Sequence, residues 1–123
     1  MDFVLDTLEP ELFTPTGKDG ADADFSFEIR GLTTSEQLRL PIQKDIENPL
    51  FSNAVLLAAF EMGTTRVSNV FVTRNGKREE IRTAKQFAAM PGVVEFVAQA
   101  GAQIIAKTYL SEDAEKKSQS PLQ

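Results

Sequence analysis

The side chains best suited to binding a charged partner concentrate around the Asn75-Gly76 pair. Five bases stand within twelve residues there: Arg74, Lys77, Arg78, Arg82 and Lys85. Glu79 and Glu80 lie among them and reduce the net charge of the stretch to +3. Surface turns are usually polar and charged, so the leading interpretation is a solvated turn between two structural elements. A contact for a protein partner comes second, and a nucleic-acid contact comes last because no aromatic residues are interleaved with the bases.

The amino-acid composition excludes several kinds of chemistry. The chain of 123 residues has no His and no Cys. Disulfides, thiolate chemistry, a structural zinc site and every His-based catalytic triad are therefore excluded. Carboxylates remain able to hold Mg²⁺ or Ca²⁺, or to act as an acid/base pair. However, the sequence has no calcium-binding loop, glycine-rich phosphate loop or nucleophile elbow. We expect a protein that is not an enzyme and that needs no cofactor or metal.

The distribution of charge argues against a nucleic acid partner. The net charge is −5, and residues 1–30 hold eight acids against two bases. An acidic chain repels DNA on average, so binding would need a strongly localised basic face. No apolar run approaches the roughly 18–20 residues that cross a bilayer, and the N-terminus lacks the basic segment of a secretory signal. We expect no membrane association and a cytoplasmic location.

Composition divides the chain into three regions. Residues 1–24 are predicted to form an acidic, flexible N-terminal arm and linker, because Pro, Gly, Asp and Thr cluster at 14–24. The apolar part of this arm either docks on a neighbouring subunit or is a frayed terminus. Residues 25–110 are predicted to form a single globular helical domain. Residues 111–123 are polar, lose periodicity and are predicted to be a disordered tail.

The hydrophobic pattern predicts a mainly α fold with a small β component (α+β), with several short helices and one long C-terminal helix. An N-terminal strand is predicted at 25–32, where Phe25, Phe27 and Ile29 alternate with polar residues. A strand and turn are predicted around 67–81, because β-branched residues precede Asn75-Gly76. Short helices are predicted at 33–47, and a central helix capped by Ser52 is predicted at 52–63. A further helix is predicted to start at a Thr83–Gln86 capping box, and the long C-terminal helix is predicted at 92–110.

The central helix carries the second group of candidate residues. It is apolar nearly all round, which is typical of a helix buried in the core or in a subunit interface. We therefore interpret Leu56 and Phe60 as core residues first and as partner contacts second. The complete set of candidate partner-binding residues is Arg74, Lys77, Arg78, Arg82, Leu56 and Phe60. In the long helix, Gly101 costs roughly 1 kcal/mol relative to Ala and indicates a close helix neighbour.

The order of these elements resembles a known family. The segments that carry the resemblance are "FEIRGLTTSEQLRL", "NAVLLAAFEMG", "VSNVFVTRNGKREEIRTAKQFAAMPG" and a final amphipathic helix that runs into "LSEDAEKK". Together they resemble the tail assembly chaperones of long-tailed bacteriophages, also called minor tail proteins. The resemblance runs from about residue 25 to residue 117 and rests on element order rather than on an invariant motif.

The resemblance implies a largely helical, non-enzymatic protein of the infected host's cytoplasm. Such proteins bind the tape measure protein and recruit tail tube subunits during tail morphogenesis, and they self-associate, so a homo-oligomer is expected. One alternative is a structural virion component, such as a head–tail connector or tail completion protein. Another is a small nucleic-acid-binding regulator that uses residues 74–85.

Overall fold

The chain is a mixed α+β protein in its computed structural model, which describes Phe3 and residues 8–110. The strands are β1 (Glu11–Phe13), β2 (Ser26–Ile29), β3 (Thr64–Ser68), β4 (Val70–Arg74) and β5 (Lys77–Ile81). The α-helices are α1 (Thr34–Gln37), α2 (Asn53–Gly63), α3 (Ala84–Ala88) and α4 (Val94–Ile105). A 3₁₀ turn at Pro49–Phe51 precedes α2, and a π-helical turn at Ala106–Leu110 follows α4. The tail predicted at 111–123 lies outside the described residues.

The prediction of a mainly α fold is wrong. Helix accounts for 38% of the described residues and strand for 23%, so neither class is minor. One antiparallel sheet has the order β1-β2-β3, and a second consists of β4 and β5. The sequence patterns indicated the strand at β2 and the hairpin, but not β1 or β3. β3 was missed because it starts directly after Gly63 with no turn residues between helix and strand.

The prediction of one long C-terminal helix is also wrong. α4 has 12 residues and ends at Ile105, where the backbone widens into the π-helical turn. The buried Thr108 hydroxyl donates to the Ile104 carbonyl at 2.7 Å and accepts from the Leu32 N–H at 2.9 Å. A threonine hydroxyl that bonds to a carbonyl four residues back competes with regular helix geometry. Because the Leu32 bond joins residues 76 positions apart, helical periodicity carries no sign of this ending.

The described part of the N-terminal segment lies against the domain. β1 pairs antiparallel with β2, and Leu12 stands opposite Glu28. The Thr16 backbone bonds twice to the Gln99 side chain of α4, at 2.7 and 2.8 Å. Glu11 forms an ion pair with Lys107 at 3.0 Å. These contacts place residues of the predicted arm on both the sheet and the last helix.

The core lies between the three-stranded sheet and the helices α2, α3 and α4. Its centre is a trio of buried phenylalanines, Phe27 from β2, Phe60 from α2 and Phe87 from α3. The Phe27 ring meets the Phe60 and Phe87 rings edge to face, with centroids 5.2 and 5.0 Å apart. Edge-to-face pairs add to the free energy gained by burying the rings. The aromatic residues of three elements thus join the sheet to two helices.

Two glycines allow α4 to pack tightly. A Cβ atom at Gly101 would lie 2.4 Å from the carbonyl oxygen of Leu56 in α2. A Cβ atom at Gly63 would lie 2.7 Å from the Ile104 side chain. Both distances are shorter than real Cβ contacts, so the Leu56 backbone and the Ile104 side chain approach this closely only because the two glycines have no side chain. The close helix neighbour predicted from Gly101 is confirmed, and it is α2.

One arginine joins the end of β2 to α1 and α2. The Arg30 guanidinium donates to both carboxylate oxygens of Glu36, at 2.7 and 2.9 Å. It also donates to the carbonyl of Gly31 at 2.9 Å and to that of Met62, in the last turn of α2, at 3.2 Å. Glu36 in turn accepts from the Thr33 N–H in the capping box that starts α1. Chiefly through its hydrogen bond, Arg30 lowers the pKa of the Glu36 carboxyl to about 2.

Substituting Gly101→Ala should lower the free energy of unfolding by about 1–3 kcal/mol, because the added methyl group overpacks the contact with Leu56. Helix propensity alone predicts the opposite sign, a gain of about 1 kcal/mol. Chemical denaturation followed by circular dichroism measures the difference. Gly31→Ala is the control, since a Cβ there meets its nearest atom at an ordinary 3.6 Å. A Gly101→Ala protein more stable than the parent would contradict the close contact.

Substituting Glu36→Gln should make the stability of the protein less dependent on pH in the acid range. The folded-state pKa of Glu36 is lowered from 4.5 to about 2. The ion pair therefore contributes stability that is fully present above pH 4.5 and is lost as the pH falls through 2. We expect a deficit of about 1–2 kcal/mol near neutral pH that closes towards pH 2, measured by urea unfolding. Glu79→Gln, at an exposed position, is the control, and a deficit independent of pH would exclude this role of the charge.

Candidate protein-binding site

The predicted basic stretch forms the β4–β5 hairpin and the chain that follows it. Asn75 and Gly76 both have positive φ angles, 52° and 76°, which is the geometry of a type I′ turn. Arg74 stands opposite Lys77, and Thr73 stands opposite Arg78. Because side chains alternate between the faces of a strand, Arg74 and Lys77 share one face while Arg78 lies on the other. The hairpin thus divides the predicted basic group instead of gathering it.

Two of the bases are already engaged within the protein. The Arg78 guanidinium lies over the Phe71 ring, 4.0 Å from its centroid, in a cation–π contact. The Arg82 Nε donates to the Glu80 carboxylate at 2.6 Å. Arg74 and Lys77 remain exposed at the tip of the hairpin. A protein partner would therefore meet two free bases there rather than a continuous basic patch.

The structure separates the two candidate residues of α2. Phe60 is completely buried in the phenylalanine trio, so none of its surface is open to a partner. Leu56, one turn earlier, is half-buried and lines a groove on the protein surface. The residues that line the groove do not overlap with those of the basic hairpin. The six candidate residues therefore do not form one site: Phe60 lies in the core, Leu56 lines the groove, and the four bases lie on or just after the hairpin.

The groove is apolar and lies between the first turns of α2 and the turn that joins α3 to α4. Its volume is about 310 Å³. The lining residues are Asn53, Leu56, Leu57, Ala88, Met90, Gly92, Val93, Val94, Val97 and Ala98. Leu57 remains 42% exposed and Val94 71% exposed, so both side chains present apolar surface to solvent along the groove. A groove of this composition offers sites for the apolar side chains of a partner.

Helical periodicity misplaces the most exposed residue of this groove. Val94 follows the same three- and four-residue spacing as the buried Val97, Gly101 and Ile104, which indicates the core face. In the structure Gly92 has a positive φ of 77°, and the Pro91-Gly92 turn lies between the end of α3 at Ala88 and the start of α4 at Val94. Val94 is therefore the first residue of α4, and its side chain remains 71% exposed. The signal available in the sequence was the Pro-Gly pair followed by two valines.

The described residues hold no group of three or more acidic side chains placed to bind a metal ion. None of the helices among them is long and apolar enough to cross a membrane. Comparison with protein-family models gives no match, and neither the curated proteins nor the solved structures contain a match to the chain. The candidate site is therefore described from its own residues alone. They form two surfaces, an apolar groove and a hairpin with two free bases.

We expect the protein to bind duplex DNA weakly, because Glu79 and Glu80 dilute the hairpin's charge and two of its bases have internal contacts. Retention on a DNA column at about 0.15 M salt should be slight, and Arg74→Glu combined with Lys77→Glu should leave it unchanged. Strong retention that falls steeply with salt and disappears in this variant would instead favour the nucleic-acid-binding regulator.

Proposed function

We propose that the chain is a non-enzymatic tail assembly chaperone of a long-tailed bacteriophage. In this role it binds the tape measure protein and recruits tail tube subunits during tail morphogenesis in the host cytoplasm. The resemblance of residues 25–117 to that family suggests the biological setting. The apolar groove between α2 and the α3–α4 turn is the observation that supports a binding role.

The groove suits a helical segment of the partner. Leu56 and Leu57 form one side of it, and Val94, Val97 and Ala98 form the other. A partner helix that places apolar residues at three- and four-residue intervals along one face fits between such walls. Contacts of this kind are made without covalent chemistry and are reversible. Reversible burial is what a chaperone needs, because its partner must be released when the tail is assembled.

A homo-oligomer, which the family resemblance implies, is part of this proposal. Leu12, Leu38 and Phe51 are exposed and do not line the groove. Single exposed apolar residues are normal on a soluble monomer. Their presence on several elements is nevertheless compatible with contacts between copies that leave the groove open. Light scattering over a range of concentrations measures this self-association, and a strict monomer at high concentration would contradict it.

Co-expression with the tape measure protein of the same phage tests the proposed function. The chain should keep that protein soluble and should co-purify with it. Leu57→Asp and Val94→Asp should each weaken co-purification at least tenfold, because a carboxylate in the groove would be desolvated by the partner. Both side chains are exposed, so the variants should fold, and thermal unfolding checks this.

Leu38→Asp is the matched control, because it places the same charge on a side chain that is 83% exposed and outside the groove. It should co-purify like the parent chain. An equal loss in all three variants would show that added charge, and not the groove, is responsible. Purified phage particles should lack the protein. Finding it there in stoichiometric amounts would contradict the chaperone and favour a structural virion component.

A further inference from the structure

The β4–β5 hairpin has two unpaired edges of different character. Each of its strands has a single hydrogen-bonded neighbour, the other strand of the pair. The outer edge of β5 belongs to the sequence Lys-Arg-Glu-Glu, and all four of these side chains are exposed. Natural proteins protect edge strands with such charges. The outer edge of β4 belongs to Val-Phe-Val-Thr-Arg, which has only one charge, at its end.

The register of the hairpin identifies the backbone groups that point outward from β4. The two-residue turn makes Arg74 and Lys77 a hydrogen-bonded pair. Hydrogen-bonded and non-hydrogen-bonded pairs alternate along an antiparallel ladder. Thr73 and Phe71 therefore occupy non-hydrogen-bonded positions, and their N–H and C=O groups face away from β5. These four groups form a short template for another strand.

A bend in the chain explains why β2 does not cover this edge. β2 pairs with β3 only as far as Ser68, and Asn69 follows with a positive φ of 67°. The Asn69 side-chain amide donates to the Asp24 carbonyl, just before β2 begins. The bend lies between β3 and β4, and the hydrogen bond joins it to the residue two positions before β2. Among the described residues, no strand other than β5 pairs with β4.

The side chains beside this edge are suited to a strand. Val70 and Val72 pack against the core, while Phe71 on the opposite face remains 39% exposed beneath the Arg78 guanidinium. β-branched and aromatic residues favour cross-strand packing. An incoming strand would cover the exposed side of Phe71 and satisfy the outward backbone groups. The edge is thus open, apolar and supported from below by the core.

We infer that the outer edge of β4 binds a protein partner by β-strand addition, and that the added strand is acidic. Charge complementarity selects this occupant. Arg74, Lys77 and Arg78 all lie at the tip of the hairpin, and Arg74 ends the edge strand itself. An Asp or Glu on the added strand beside this end would contact bases that are exposed, whereas a Lys or Arg would be repelled. Backbone hydrogen bonds give such a complex its affinity, and the alternating side chains give it specificity.

A bead-displayed library of seven-residue peptides, screened against the full chain, tests this inference. The enriched peptides should alternate β-branched residues with Asp or Glu. When the best of them is synthesised and added, hydrogen exchange at the Phe71 and Thr73 amides should slow at least tenfold. The Arg78 and Glu80 amides, on the opposite edge, should exchange as before. This measurement uses the unmodified protein, so it does not depend on the folding of any variant.

Two proline variants provide a matched comparison. Thr73→Pro removes an outward N–H from β4 without removing a ladder hydrogen bond, and proline is tolerated at such edge positions. It should weaken peptide binding at least tenfold. Glu80→Pro makes the same change on the outer edge of β5 and should leave binding within about twofold. Thermal unfolding establishes that both variants are folded.

Three results would overturn the inference. The first is equal enrichment of peptides of any charge, or no enrichment. The second is slower exchange at Arg78 and Glu80, or an equal loss of affinity in both proline variants, which would assign the peptide to another surface. Finally, protection of Phe71 and Thr73 that rises with protein concentration alone would make a second copy of the chain the occupant of the edge.

Discussion

Helices α2 and α4 can approach as closely as they do only because residue 101 has no side chain. The Leu56 carbonyl occupies the space where a Cβ atom would be. This contact fixes the position of α4 relative to α2. The contact between Gly63 and Ile104 fixes it again near the C-terminal ends of the two helices. Leu56 also lines the groove, together with residues of the first turns of α4. The shape of the groove therefore follows from a backbone contact inside the protein.

Local signals predicted the elements whose start or end depends on neighbouring residues. Ser52 caps α2 and Gly63 is its last residue, as their types indicate. Thr83 and Gln86 form the capping box at the start of α3, and Asn75-Gly76 forms the hairpin turn. In each case the hydrogen bond or the φ angle involves residues within three positions of one another. The sequence contains all the information needed for such features.

Features that depend on distant residues were not predictable in the same way. β1 has only three residues, and its strand character comes from pairing with β2. The π-helical turn depends on the bond between Thr108 and Leu32. The class of the fold was mistaken for this reason, because two of the five strands are defined mainly by their partners. The candidate site was likewise predictable only in part: residue types indicated a charged turn and an apolar helix, but strand alternation and a Pro-Gly turn decide which side chains are exposed.

The surface charges of the hairpin can contribute little to the affinity for a partner. Arg82 is neutralised by Glu80, and the Arg78 charge lies over an aromatic ring. The remaining bases, Arg74 and Lys77, can orient a partner but provide little affinity, because exposed ion pairs are worth less than about 1 kcal/mol. Burial of a single Leu or Phe contributes more than that. Affinity for a partner must therefore come from apolar side chains such as Leu57 and Val94 in the groove, and from backbone hydrogen bonds at the edge of β4, with the charges selecting which partner binds.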